Sequence, residues 1–240
     1  MGSAGTSHSL RGHARAHTFT GVGASERFAA ARVVWICVLW ALIHSVLASK
    51  QAKNLARRVA GPRYRDGLYR LAYNAQSVAL LLWAARRFAR LPDRELYRVS
   101  PPWSWLFRTS QAASLGVLLS GARVMGMLNF AGITPLWDLL RGKDIRPEPE
   151  AQGPPIGADD EVAMAGAFRF TRHPGNLGAL GFFLFMPRMT TNRVVLIVLV
   201  TLYVVLGSMH EEYRLRAAYG DAYERYRRVV SFLIPRRSRR

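Results

Sequence analysis

Two hundred and forty residues allow one sizeable domain or two small ones. Half of them are hydrophobic, yet the formal net charge is +19, carried almost wholly by arginine, since Lys50, Lys53 and Lys143 are the only lysines. The charges fall between apolar runs rather than along one face, which argues against a nucleic-acid partner, and a single cysteine, Cys37, excludes an internal disulfide.

Residues 1–27 are rich in Gly, Ser, His and Arg and read as a disordered tail without the apolar core of a signal peptide. Residues 33–49 carry no charge and predict a first membrane pass; residues 71–85 predict a second. The linker 86–108 holds Pro101-Pro102-Trp103-Ser104-Trp105, which reads as an interfacial aromatic anchor. Residues 109–137 predict a third pass, interrupted only by Arg123. The stretch 138–168, with Pro147-Glu148-Pro149-Glu150, reads as an extended cytoplasmic loop. Residues 174–187 predict a short fourth pass and 194–209 the clearest, a fifth. The fold expected is therefore all-α: a polytopic membrane protein of about five transmembrane helices with a C-terminal amphipathic cytoplasmic helix. Its parts are the tail 1–27, transmembrane helices within 28–137, the loop 138–168, and a helical hairpin with a final helix over 169–235.

Lysine and arginine counts give an orientation. The linkers 50–67, 138–172 and 210–240 hold 20 of them, against 11 on the other side. The positive-inside rule then puts the C-terminus in the cytoplasm, as expected for a bacterial inner membrane, with the basic 86–108 linker running against it. That orientation also disfavours reading Met1-Gly2 with Thr6 as a myristoylation signal.

Polar chemistry concentrates in two places. Phe170-Thr171-Arg172-His173-Pro174-Gly175-Asn176-Leu177-Gly178 opens the fourth run, and Glu211-Glu212 closes the fifth. Pro174 suits the first position of a helix with His173 as its N-cap, leaving free amides and a positive dipole end that attract a carboxylate or phosphate. At ~1.5 Å per residue the fourth run travels about 21 Å and the fifth returns about 26–28 Å, which brings the glutamates back to the level of His173. Groups this costly near lipid are functional candidates. Gly175, Gly178 and Gly181 permit close approach of a ligand or a helix. In the tail, Leu215, Tyr219, Tyr223, Tyr226 and Val230 share one helical face, Gly220 breaks the run, and Asp221 with Glu224 resembles a capping box. His44 reads as an interhelical hydrogen-bonding group, and Arg123 as facing a protein interior or a headgroup. No metal site is expected, because no second histidine follows His210 at helical spacing.

The pattern Arg-His-Pro-x-x-x-Gly, then Glu-Glu-x-x-Leu-x-x-x-Tyr-Gly-x-x-Tyr-x-x-Tyr and a terminal Ile-Pro, resembles the C-terminal half of the isoprenylcysteine carboxyl methyltransferase superfamily. His44-Ser45-Val46-Leu47-Ala48, Tyr69-Arg70, Tyr73-Asn74 and the stretch from Gly132-Ile133 to Leu140-Arg141-Gly142 are similar to its bacterial NnrU and methanethiol S-methyltransferase branch. The resemblance implies a membrane enzyme that binds S-adenosyl-L-methionine without a dinucleotide-binding fold. Its cofactor pocket would be lined by Arg172, His173, Pro174, Gly178, Glu211 and Glu212, with Arg172 and Glu212 in catalytic roles. Asn176 departs from the family, which often has an aromatic residue there. On this reading the start of the fourth helix, with Arg172 and His173, takes the cofactor's carboxylate and Glu211 or Glu212 its ammonium. Tyr203, Tyr213 or Phe170 faces the sulfonium, and Arg172 favours an acceptor thiolate. The acceptor is a small thiol or a lipidic, isoprenylcysteine-like molecule; the alternatives are a non-catalytic NnrU-like accessory protein and an NADPH-dependent reductase. Oligomeric state is open.

Overall fold

A computed structural model describes residues 23–147, 149 and 151–235. The expectation of disorder over 1–22 lies outside the described residues. Helix α1 (Ala24–Ala48) begins inside the stretch read as tail and ends at Ser49, whose hydroxyl accepts from the Ala52 amide and so caps the next helix, α2 (Lys50–Ala60). Gly61, at φ 85°, turns the chain into α3 (Pro62–Phe88), which opens on a proline. A short strand β1 (Glu95–Arg98) precedes α4 (Trp103–Val124).

The run 109–137 is not one helix, and this corrects the expected third pass. It divides into α4, α5 (Met127–Ala131) and α6 (Ile133–Leu140), with Gly126 at φ 83° and Gly132 at φ 84° at the breaks. Both values are reached cheaply only by glycine. At Gly132 there is also no room, since a Cβ would lie 2.5 Å from the Leu71 backbone nitrogen. The chain folds back here because α3 is already in contact.

Beyond α6 come a 3-10 turn (Gly166–Arg169), α7 (Pro174–Leu184), β2 (Arg188–Thr190), α8 (Thr191–Tyr219) and α9 (Asp221–Val229). Strand β2 pairs antiparallel with β1, Glu95 opposite Thr190 and Arg98 opposite Arg188. The stretch between the runs 174–187 and 194–209 thus carries a strand of a small sheet, which the all-helical expectation did not include. Helix α7 packs against α4 through small residues: a Cβ on Gly178 would meet the Ser114 carbonyl oxygen at 2.5 Å, and one on Gly121 would meet Pro174 Cγ at 2.7 Å.

Among the described residues, α1 and α8 are long and apolar enough to cross a membrane. They leave Trp35, Leu42 and Val46, and Val198, Leu202 and Leu206, largely exposed, an apolar surface that water does not suit. Helices α3 and α4 are long enough but more polar. The tail face is a core: Leu215, Tyr223, Tyr226 and Val230 bury together with Ala151, Val162 and Ala222. The capping box does not form. Gly220 is the N-cap of α9 and no side chain caps it, while Glu224 pairs with Arg227 at 2.8 Å instead.

Candidate functional site

His173 is the N-cap of α7 and Pro174 its first residue, as the sequence dictates. The imidazole is held between the two glutamates of α8, Nδ1 lying 3.1 Å from Glu211 Oε2 and Nε2 lying 3.0 Å from Glu212 Oε1. Arg172 runs alongside and grips Glu212 with both arms of its guanidinium, at 2.8 and 3.2 Å. Its remaining terminal nitrogen donates to the Val230 and Arg227 carbonyls at 2.5 and 3.3 Å.

Glu212 is the hub. It also accepts from the Tyr223 hydroxyl at 2.7 Å and from Arg227 at 3.0 Å. The partners added by α9 are fixed by the chain's return after Gly220, and the Arg172 amide donates to the Ser231 carbonyl to close that return. Tyr223 and Arg227 thus join the site, although neither was among the residues expected there. The signal for Tyr223 was its place on the tail face; Arg227 lies off that face and gave none.

Electrostatics follow from these contacts. Burial works against a charged His173, but the hydrogen bonds and charges of Glu211 and Glu212 outweigh it and raise its pKa above the ordinary 6.5. With both ring nitrogens on carboxylates, the imidazole is a double donor. Burial, then the hydrogen bond to Glu212, pushes the Tyr223 hydroxyl well up, so it stays protonated as a donor.

This knot borders a cavity of about 800 Å³. Arg172, His173, Pro174, Gly175, Asn176, His210, Glu211 and Arg214 line it at one end, and His44, Ser45, Tyr69, Tyr73 and Tyr203 line it along α1, α3 and α8. Glu211 is about one-third exposed, whereas the Glu212 carboxylate is nearly enclosed and absent from the lining. A Cβ on Gly175 would meet nothing within 4 Å. Asn176 reaches across to α8 and donates to Ser208 Oγ at 2.8 Å.

Of the six residues expected in the pocket, Arg172, His173, Pro174, Glu211 and Glu212 converge. Gly178 does not: it faces α4, where backbone fills the space of a side chain. Of the three aromatic candidates Tyr203 lines the cavity, while Phe170 and Tyr213 are exposed elsewhere. His44 is the interhelical hydrogen bonder expected, bonded to Ser77 and Tyr73 on α3. Arg123 ends α4 in an exposed position rather than facing an interior.

The chain is 40% identical over 207 residues to a methanethiol S-methyltransferase of Mycobacterium tuberculosis, across 82% of this chain and 74% of that protein. The chain belongs to the methanethiol S-methyltransferase family. It is also 26% identical over 219 residues to the methanethiol S-methyltransferase of Pseudomonas deceptionensis, across 90% of this chain and 76% of that protein. With methanethiol S-methyltransferase 1 of Bradyrhizobium diazoefficiens it shares 26% identity over 216 residues, 90% of this chain and 70% of the other. No family model matches the chain. No solved structure matches it. Membership makes the protein an enzyme and a methyltransferase, which removes the accessory-protein and reductase alternatives.

Proposed function

We propose that this methyltransferase is an integral membrane enzyme that uses S-adenosyl-L-methionine to methylate a small thiol of the methanethiol kind. The supporting observation is the charge arrangement at the cavity end: a carboxylate, Glu211, facing the free N-terminus of α7 across His173.

The residues fit the cofactor's zwitterion. Glu211 binds His173 through Oε2 only and is one-third exposed to the cavity, so its other oxygen suits an ammonium. The first-turn amides of α7 at Gly175 and Asn176 point out of the helix end and suit a carboxylate. The open space at Gly175 lets that group approach. When bound, the cofactor would supply an electrophilic methyl group on a sulfonium.

The chain's own residues do the rest by position. Glu212 and Arg172 neutralise each other and turn their charge inward, so their role on this reading is to orient His173 and Glu211 rather than to touch the ligand. This replaces the expectation that Arg172 binds the carboxylate and favours the thiolate. Tyr203 offers an aromatic wall to the sulfonium. Holding donor and acceptor in one apolar cavity supplies up to ~7–11 kcal/mol of the barrier without a covalent enzyme intermediate.

The membrane arrangement belongs to the same proposal. Helices α1, α3, α4, α7 and α8 are the five passes, with the site and the C-terminus on the cytoplasmic side of a bacterial inner membrane. The short α7 is sheltered by α4.

Calorimetry on detergent-purified protein tests the cofactor, and headspace gas chromatography of dimethyl sulfide tests the acceptor. The expected result is saturable binding of S-adenosylmethionine and turnover of methanethiol. Absent binding, or methylation of an isoprenylcysteine in place of methanethiol, overturns the reading.

A further inference from the structure

A thiol attacks as its thiolate, so the enzyme must remove a proton from the acceptor. The groups at the charged end of the cavity are committed otherwise. His173 donates through both nitrogens, Glu211 faces the helix end, and Arg172 and Arg214 can only donate. The opposite wall holds a different arrangement. His44 on α1 stacks on Trp40, with ring centroids 4.6 Å apart, and its Nδ1 lies 3.1 Å from Ser77 Oγ on α3. The Tyr73 hydroxyl lies 2.6 Å from His44 Nε2 and 3.2 Å from Nδ1, and both His44 and Tyr73 line the cavity. In the tautomer that carries its hydrogen on Nδ1 and donates it to Ser77, Nε2 is the nearer acceptor for the tyrosine proton, and the tyrosine oxygen keeps a lone pair for a third group.

We infer that Tyr73 and His44 form a relay that ionises the acceptor thiol, which rests on the small-thiol reading above. The S–H bond breaks and its proton passes to the Tyr73 oxygen while the tyrosine's own proton moves to His44 Nε2. Tyr73 stays neutral and His44 becomes imidazolium. The acceptor sulfur keeps the electron pair with which it bonds the methyl carbon, the departing sulfonium sulfur keeps the pair of the bond it loses, and His44 later returns the proton to water. Ser77 and Trp40 fix the ring, the base-and-orienter arrangement that proton transfer requires. The groups facing His44 are Tyr73 on α3 and Tyr203 on α8, its other ring neighbour. Lys53 on α2 and Tyr69 and Arg70 on α3 line the same cavity. His210, the remaining imidazole of the lining, sits on an exposed position of α8.

The test compares Tyr73→Phe, which keeps the ring and loses the relay oxygen, and His44→Gln against the parent enzyme. Two acceptors are used at about pH 8: methanethiol, chiefly a thiol, and hydrosulfide, chiefly an anion. Both variants should lose about 10²–10⁴-fold in kcat/KM with methanethiol, the usual contribution of general base catalysis, and keep most of their activity with hydrosulfide. A second reading needs no cofactor. The methyl resonance of ¹³C-methanethiol bound to the parent enzyme should have the thiolate position, and that bound to Tyr73→Phe the thiol position. Equal losses with both acceptors, or a bound thiol in the parent, overturn the relay. A parent enzyme that methylates neither acceptor overturns the small-thiol reading itself, and the relay with it.

Discussion

Glu212 and Glu211 are adjacent in sequence and opposite in circumstance. Glu212 is buried and accepts from Arg172, His173, Tyr223 and Arg227; Glu211 holds one imidazole nitrogen and stays partly open. Glu212→Ala leaves the Arg172 guanidinium buried without its partner, a change that typically costs about 3–5 kcal/mol. A thermal melt in detergent should show a large fall, with cofactor binding lost as a consequence. Glu211→Gln should leave the melt nearly in place and lower S-adenosylmethionine affinity at least ~10-fold, which is ~1.4 kcal/mol. Calorimetry that finds affinity unchanged would remove Glu211 from the ammonium site. His173 gives a pH signature. Its folded pKa lies above the unfolded value of 6.5, so its contribution to stability is complete below that value and is lost as the pH rises through the raised one. The melting difference between the parent and His173→Gln should therefore be largest below 6.5 and shrink as the pH is raised above it. A difference that grows as the pH is raised contradicts the ion-paired imidazole.

At the scale of elements, two glycines three residues apart on α7 have different tasks. A Cβ at Gly178 would strike the Ser114 carbonyl and the Leu118 backbone at 2.5 and 2.8 Å, whereas one at Gly175 meets open cavity. Gly178→Ala should destabilise by about 1–3 kcal/mol through overpacking of α4 on α7. Gly175→Ala should leave the melting temperature unchanged or slightly raised and weaken cofactor binding; the reverse pattern would exchange their roles. The distinction shows what was legible beforehand. Proline after histidine fixed where α7 starts, and helix rise alone returned Glu211 and Glu212 to His173. Which partner Arg172 takes was not readable, because a guanidinium at a helix end serves a ligand and a buried carboxylate equally well. The partner was decided by α9, whose return past Gly220 brings Tyr223 and Arg227 onto Glu212. Likewise the apolar run 109–137 looked continuous, since only the fit of Gly132 against α3 reveals that it must turn back.

The molecule as a whole has two polar ends joined by apolar helices. One end gathers α2, the turn before α7, α9 and the lower part of α8 around the cavity. The other carries the β1–β2 sheet, where Glu95 binds Arg98 at 2.8 Å and Arg188 at 2.6 Å. Those two arginines, Arg98 first, hold the Glu95 carboxyl at about 2. Arg94 in turn faces Glu26 at 3.7 Å. The basic 86–108 linker, which runs against the charge rule, pairs two of its cations, Arg94 and Arg98, with acids at its own end. The sheet also ties the end of α3 to the start of α8, as five passes require of two linkers on one side. This gives a direct test of topology in a Cys37→Ser background. Cysteine introduced at Arg225, exposed on α9, should react with a membrane-impermeant maleimide only in inverted vesicles. Cysteine at Arg94 should react only in right-side-out ones. Labelling of both from the same side would mean that the chain lies along one face of the bilayer, and the five-pass proposal would fall while the His173–Glu211–Glu212 geometry stayed as it is.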